Sequence, residues 1–331
     1  MHPWRVWDTW PVSTPSHRGP LLALDSASLY YRSYYGMPSS MTAPDGRPHN
    51  ALRGFLSTIT RLVTMHSASS VVAAWDTDWR PQWRVEALPT YKTHRLAVST
   101  EGESLDTEEE PESLGEQVGA IAAILDAVGL PRWGFSDHEA DDVLGSLAAQ
   151  PSRWPTGTDG CLVVSGDRDL VQVINPSVRL LLTVNGGMDK WPALDLQSAE
   201  ERFGVAPSRY VDMAALRGDP SDGLPGVPGI GAKTAVNLVN AFGDLDSIID
   251  VALAPHAPMT PRIAGRLREN AESVQAAKRV STVVRDLPLD HVPLVPPHAA
   301  DPSGLTAVSE EWGVRRQVRD LQIALGQTEL E

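Results

Sequence analysis

Cys161-Leu162-Val163-Val164-Ser165-Gly166-Asp167-Arg168-Asp169 runs from unbroken apolar residues into a glycine and two aspartates. A short apolar run rich in Val and Leu is the mark of a strand buried on both faces, as in a parallel sheet. The pattern occurs twice more, in Leu21-Leu22-Ala23-Leu24-Asp25 and Val71-Val72-Ala73-Ala74-Trp75-Asp76. Each run delivers an aspartate at its carboxyl end, and in open α/β sheets the ligand lies beyond that edge. Carboxylates aimed at one place repel one another unless a cation sits among them. The pattern predicts an α/β fold with a mostly parallel sheet and a divalent-metal site at its carboxyl edge.

Further carboxylates join these: Glu139-x-Asp141-Asp142, Asp169 two residues past Asp167, and Asp219-x-x-Asp222. Two Mg²⁺ ions roughly 4 Å apart need shared carboxylates, with phosphate oxygens and waters to complete their shells. Glu139 and Asp142 stand at i and i+3 on one side of a helix's first turn, the end whose dipole favours anions. Gly166 lets the chain turn sharply and aim Asp167 and Asp169 at the edge. Singly, each has a plainer reading. Asp141 or Asp142 is a helix-dipole partner, Asp219 a turn residue, and Glu139 the far half of a capping box. Jointly they read as a metal centre.

The 331 residues suffice for one large or two modest cores, and 42% hydrophobic with 21% charged residues is ordinary for a globular protein. No stretch approaches the roughly 20 apolar residues that span a bilayer, so no membrane partner is expected. Residues 1–19 carry Trp4, Trp7 and Trp10 among Pro and His. They lack the basic and apolar regions of a secretory signal and read as a flexible extension. Cys161 is the lone cysteine. No internal disulfide can form, and an inert core thiol in a reducing cytoplasm fits. A net charge of −14 argues against a nucleic-acid partner at first sight. Yet seven acidic residues crowd 101–112, and with the nine candidate ligands they outweigh the whole excess. Bulk charge therefore decides nothing.

Residues 20–200 alternate apolar strands with helical patterns, the mark of βαβ units. Leu52, Phe55, Leu56, Ile59, Leu62 and Val63 predict an amphipathic helix over 50–66. Residues 79–116 have few apolar anchors and read as an excursion between sheet elements. Another helix is expected over 117–128, and Ser136 to Glu139 has capping-box form opening one that runs through 148. Beyond 200 the strands give out, and helices are expected over 208–217, 232–241 and 261–284.

These residues, in this order, resemble the bacterial 5′-nuclease family, related to flap endonucleases and to the N-terminal nuclease domain of DNA polymerase I. The matching segments are Leu-Leu-Ala-Leu-Asp25, Ala-Ala-Trp-Asp76, Tyr91-Lys92-Thr93-His94-Arg95, Glu139-Ala-Asp141-Asp142-Val, Ser-Gly-Asp167-Arg-Asp169-Leu, and Leu-Arg-Gly-Asp219-Pro-Ser-Asp222-Gly-Leu-Pro-Gly-Val-Pro-Gly-Ile-Gly-Ala-Lys233. Pro220 and Gly223 stand where the family more often has Ser and Asn. The resemblance covers about 20–290. It implies a PIN-like sheet flanked by helices, a helical arch at about 79–116, and a helix–hairpin–helix region over 201–331. It also implies a two-metal centre loaded with Mg²⁺ or Mn²⁺. Asp25, Asp76, Glu139, Asp141 and Asp142 would serve one ion, and Asp167, Asp169, Asp219 and Asp222 the other.

The resemblance places Lys92 and Arg95 at the base of the arch on the scissile phosphate; at three residues apart they would share a helix face. Gly226, Gly229 and Gly231 would bring backbone N–H groups to the phosphates of a gripped duplex and hold a K⁺ on carbonyls. Lys233, Arg262, Arg266 and Arg268 would extend that track. Tyr30, Tyr31, Tyr34 and Tyr35 are candidates to stack a splayed base, with one or two of them core; Tyr91 lies in the arch-base motif. The acidic run at 101–112 reads either as a screen against duplex or as a plain loop.

The activity implied is hydrolysis of DNA at 5′ flaps, nicks, gaps and 5′ ends, by a cytoplasmic monomer handing on to a polymerase and a ligase. A non-catalytic DNA-binding module with a decayed site should have lost carboxylates, and none of the nine is missing. A PIN-type ribonuclease would be about half this length and lack the glycine hairpin.

Overall fold

The structure, a computed structural model, describes residues 19–98, 104–108 and 111–327. Residues 1–18 of the expected extension, and 101–103 and 109–110 of the acidic run, lie outside the described residues. The first elements are β1 (Leu21–Asp25), α1 (Ser26–Gly36), α2 (Asn50–His66) and β2 (Ser70–Ala74). After α3 (Gln82–Ala87) come β3 (Leu96–Val98) and β4 (Ser104–Glu108), which pair antiparallel as a two-stranded ribbon. Then follow α4 (Glu112–Val128), β5 (Arg132–Trp133), α5 (Ala140–Ala149), β6 (Cys161–Ser165), β7 (Val178–Leu182) and β8 (Ala193–Leu194).

The main sheet has the order β5-β2-β1-β6-β7-β8, parallel except for β8. Every residue of β1, β2 and β6 is buried, which is why their sequences are continuous rather than alternating. Leu22, Leu24, Val71, Ala73, Leu162 and Val164 face α2 and α4. Leu21, Ala23, Val72, Ala74, Cys161 and Val163 face α5 and the helical region beyond. Each such Val or Leu stabilises the fold by about 1.5–3 kcal/mol. From β1 the chain steps to β2 and β5 on one side and to β6 and β7 on the other. The order thus reverses between β1 and β6, the switch point where a ligand crevice opens.

The remaining helices are α6 (Leu196–Phe203), α7 (Tyr210–Arg217), α8 (Ala232–Phe242), α9 (Leu245–Leu253), α10 (Pro261–Glu269), α11 (Ala271–Ser281), α12 (Pro302–Glu311) and α13 (Arg315–Ala324). Leu216, Leu238, Ile248, Leu267 and Val280 share one core with the sheet, so the helical region packs directly on it. The last two helices return to the opposite face, α12 on α4 and α13 on α2. Arg47 fastens them, pairing with Glu116 of α4 and Glu311 of α12 and stacking on the Trp312 ring. No described helix is long and apolar enough to cross a membrane.

Among the described residues, the stretch expected as a helical arch holds α3, a 3₁₀ turn over Thr93–Arg95, the antiparallel ribbon and the start of α4. Two local expectations need correction. The helix expected over 261–284 is two helices, because the Asn270 side-chain amide donates to the Arg266 carbonyl at 2.8 Å and turns the chain out of helical geometry. The capping box sits one turn late: Glu139 is the N-cap of α5 and Asp142 its partner. The carboxylate of Asp137 is already spent on the backbone N–H of Gln82 at 2.7 Å.

Candidate metal centre

Asp25 is the last residue of β1 and caps α1, accepting from the Ser28 N–H at 3.0 Å. Its second oxygen accepts from the Ser165 hydroxyl at 2.5 Å, so adjacent strand ends clamp it. Asp76, two residues past β2, accepts from the Ala140 N–H at 2.7 Å and thereby anchors the start of α5. Asp167, past Gly166 at the end of β6, accepts from the Asp169 N–H at 2.7 Å. A cleft lined by Tyr91, Lys92, Glu139, Asp141, Asp167, Asp169 and Asp222 opens over these strand ends.

Burial and mutual repulsion raise the acids here. Asp25 is pushed up to about 7 by burial and by Asp76. Asp222 is pushed up to about 6 by burial and by Asp167. Burial, then Glu139, raises Asp76; burial, then Asp167 and Asp25, holds Asp141 well above the usual range. Burial lifts Asp167 as well, and burial with Asp167 lifts Asp169 further. The buried Lys92 ammonium pairs with Glu139 and lies 5.1 Å over the Tyr91 ring. Burial opposes its charge, but Glu139, Tyr91 and Asp222 hold it well above the ordinary lysine range.

Carboxylates whose charge is opposed by burial and by one another are what a divalent cation relieves. Among the described residues no three such groups close into a finished metal cage. The donors gathered here are carboxylate oxygens, the ligands of a hard ion such as Mg²⁺, which keeps several waters and takes a few carboxylates plus phosphate oxygens. Near Asp169 the Tyr210 hydroxyl is buried; burial and then Asp169 push the phenol up to about 12, against the opposing pull of Arg217. The donor set fits the expected metals.

Several expected roles need revision. Asp142 does not face the cleft. Its oxygens accept from Arg84 Nη1 at 2.8 Å, Arg84 Nη2 at 2.7 Å, the Val284 N–H at 2.9 Å and the Glu139 N–H at 3.2 Å. All its lone pairs are thus spent on holding the fold. Tyr91 is a buried prop in the wall of the cleft, donating to Glu139 Oε1 at 2.8 Å. Lys92 stands at φ +50°, just before a single 3₁₀ turn, so it and Arg95 do not share an α-helix face. Arg95 reaches Asp222 at 3.6 Å. Tyr34 bonds to the Ser113 hydroxyl at 3.0 Å, leaving Tyr35, stacked on Tyr31, as the exposed ring.

Gly226 is buried, with φ +63°; a Cβ there would lie 2.5 Å from the Gly218 nitrogen, so it serves a close backbone crossing rather than a phosphate. Gly229, at φ +77°, and Gly231, the N-cap of α8, are exposed at the hairpin, beside Lys233. Arg266 lies directly over Gly229, and Arg262 is exposed on the same helix. Arg268 does not extend the track: it donates to the Ala252 carbonyl at 2.5 Å.

Arg84 is the residue the sequence reading missed. It is buried in α3, pairs with Asp142 and with Glu139 Oε1 at 3.2 Å, and donates to the Val280 carbonyl at 2.9 Å. Burial opposes its charge, but Glu139 and Asp142 keep it well above the ordinary guanidinium range.

A parallel sheet that gathers buried carboxylates at its switch point, joined to a glycine hairpin between helices, is the architecture of a metal-dependent nuclease. A family model described as 5′-3′ exonuclease, N-terminal resolvase-like domain matches residues 20–204; a second, 5′-3′ exonuclease, C-terminal SAM fold, matches 205–297. A 5′-3′ exonuclease of Streptomyces coelicolor is 43% identical over 307 residues, 92% of this chain and 99% of that protein. DNA polymerase I of Mycobacterium tuberculosis is 31% identical over 276 residues, 82% of this chain and 28% of the polymerase. The bacteriophage T5 flap endonuclease, in a structure with DNA and metal ions, superposes with TM-score 0.60 at 20% identity, covering 93% of this chain and all of that one. The chain belongs to the 5′-3′ exonuclease family.

Proposed function

We propose that this chain is a structure-selective 5′ nuclease acting on DNA flaps, nicks, gaps and 5′ ends in replication and repair. The reading rests on one observation above others: the carboxylates of Glu139, Asp141, Asp167, Asp169 and Asp222 share a cleft with the Lys92 ammonium. Asp25, Asp76, Glu139 and Asp141 would hold one Mg²⁺ or Mn²⁺, and Asp167, Asp169, Asp219 and Asp222 a second. When bound, such ions lower the pKa of an attacking water and offset charge on the leaving 3′-oxygen.

The rest falls to the chain itself. Tyr91 and Arg84 fix one Glu139 oxygen while Lys92 takes the other, which orients the carboxylate. Lys92 keeps its proton throughout and offers an ammonium to a phosphate as charge builds in the transition state. The open hairpin of Gly229 and Gly231, with Lys233, Arg262 and Arg266, grips duplex through its backbone and could carry a K⁺ on its carbonyls. Hydrolysis leaves a 5′-phosphate and a 3′-hydroxyl, the ends that a ligase or a polymerase accepts. We read the chain as a cytoplasmic monomer passing nicks to such enzymes.

The test is single-turnover cleavage of a 5′-flapped DNA with Mg²⁺, with EDTA, and by Asp167→Asn. Wild type should cut the DNA flap and spare the same flap in RNA. Cutting in EDTA, unimpaired cutting by Asp167→Asn, or equal cutting of RNA refutes the reading.

A further inference from the structure

We infer that Arg217 stands as a fixed cation beside the acids expected to serve the second ion, and that its pairing with Asp219 sets how tightly they hold a divalent ion. This rests on the two-metal reading above. Arg217 is the last residue of α7; its Nη2 lies 3.2 Å from Asp219 Oδ2, and its Nε donates to the Gly218 carbonyl at 3.1 Å. The two side chains are 22% and 23% exposed, so the pair is largely shielded from water. Asp219 Oδ1 accepts from the Ser221 N–H at 3.0 Å and from its hydroxyl. Both oxygens of Asp219 are thus engaged before any ion arrives.

The same guanidinium bears on Asp169. Burial, Asp167, Asp222 and Asp219 all raise that acid, and Arg217 opposes them. On the far side Arg95 reaches Asp222. Of the four acids expected to serve the second ion, Asp219 and Asp222 therefore carry guanidinium partners. The position of Arg217 is not free to drift. A Cβ on Gly226 would come within 2.6 Å of the Arg217 carbonyl carbon, so the two backbones abut there.

An arginine does not lose its proton in a protein, so this charge persists at every working pH. A divalent ion approaching Asp219 must share the carboxylate with a neighbouring positive charge or displace it. The second ion should bind more weakly than the first until a phosphate brings negative charge of its own. A doubly charged ion feels roughly twice the coupling of a partly exposed pair of unit charges, so removing the guanidinium should tighten binding by about two- to thirtyfold, or about 0.4–2 kcal/mol.

The experiment is a Mn²⁺ titration of the full chain without DNA, followed by calorimetry and by the electron-spin signal of free Mn²⁺. Wild type should show a tighter and a weaker class. Arg217→Met, which keeps the aliphatic stem, should tighten the weaker class by about two- to thirtyfold and leave the tighter one in place. Arg217→Lys, retaining the charge, should stay near wild type. Arg217→Gln is a second neutral replacement, and each variant's melting in EDTA shows that it is folded. Folded neutral variants whose weaker class is unchanged, weakened or lost overturn the inference and leave Arg217 as a clasp for Asp219. A wild type that binds no Mn²⁺ at all overturns the metal reading itself, which is a different result.

Discussion

Asp142→Asn separates two incompatible roles for one residue. If Asp142 were a metal ligand, neutralising it would relieve repulsion, stabilise the metal-free protein and cost an ion. The structure dictates the opposite sign. Its carboxylate is 0% exposed and accepts four hydrogen bonds, two from Arg84 and one each from the Val284 and Glu139 N–H groups. An asparagine has one acceptor oxygen, so in either orientation its amide faces donors. Arg84 keeps only Glu139 as a charged partner. Breaking a buried pair from one side costs about 3–5 kcal/mol, a large share of the roughly 5–15 kcal/mol that holds a domain together. Urea unfolding in EDTA reads this directly, and Mn²⁺ titration counts the ions. We expect a loss of about 3–5 kcal/mol with the number of bound ions unchanged. A variant as stable as wild type in EDTA but short of one ion would refute the assignment of Asp142 as an anchor.

The metal-free protein should lose stability as pH rises from about 4 to about 7. Asp25 ionises near 7 and Asp222 near 6 in the fold, against 3.8 ordinarily, so the stability their protonated forms supply is complete below 3.8 and gone above about 7. Melting scans across that window check it, and Mg²⁺ should reverse the trend at the alkaline end. Gly229→Ala would set a Cβ 1.6 Å from Arg266 Nη1 at φ +77°, and should weaken duplex binding, read by fluorescence anisotropy, by about tenfold (about 1.4 kcal/mol). Gly231→Ala, with nothing within 4 Å, should leave folding intact. Lys92→Ala should slow single-turnover cleavage by about 10², near 2.7 kcal/mol, with flap affinity little changed. If only affinity falls, Lys92 positions DNA and does not assist the chemistry.

Asp25, Asp76 and Asp167 are legible in sequence because a strand buried on both faces needs an unbroken apolar run, and the residue that ends it is plain. The amphipathic α2 is legible for the same reason, as its apolar spacing matches its buried face from Asn50 to His66. The ribbon of β3 and β4 is not. It is built by backbone pairing between a strand of only three residues and a largely polar one, and composition does not encode that pairing. Arg84 is not legible either. A single arginine in a short helix reads as solvated, and only the tertiary approach of α5 and α11 makes it a buried hub. Asp142 misleads by its neighbours: one residue from Asp141, it points into the fold, not the cleft, and spacing alone does not separate the two directions.

The C-terminal helices carry a practical consequence for anyone dissecting the chain. The family match ends at residue 297, which invites a cut there. Yet Leu305, Trp312, Val314, Val318 and Leu321 belong to the same buried layer as Leu52, Phe55 and Ile121. His49, at the head of α2, also holds the Trp312 carbonyl at 2.7 Å. A shortened version would expose that apolar wall to water and to other chains, so the smallest unit able to stand alone is longer than the recognisable one.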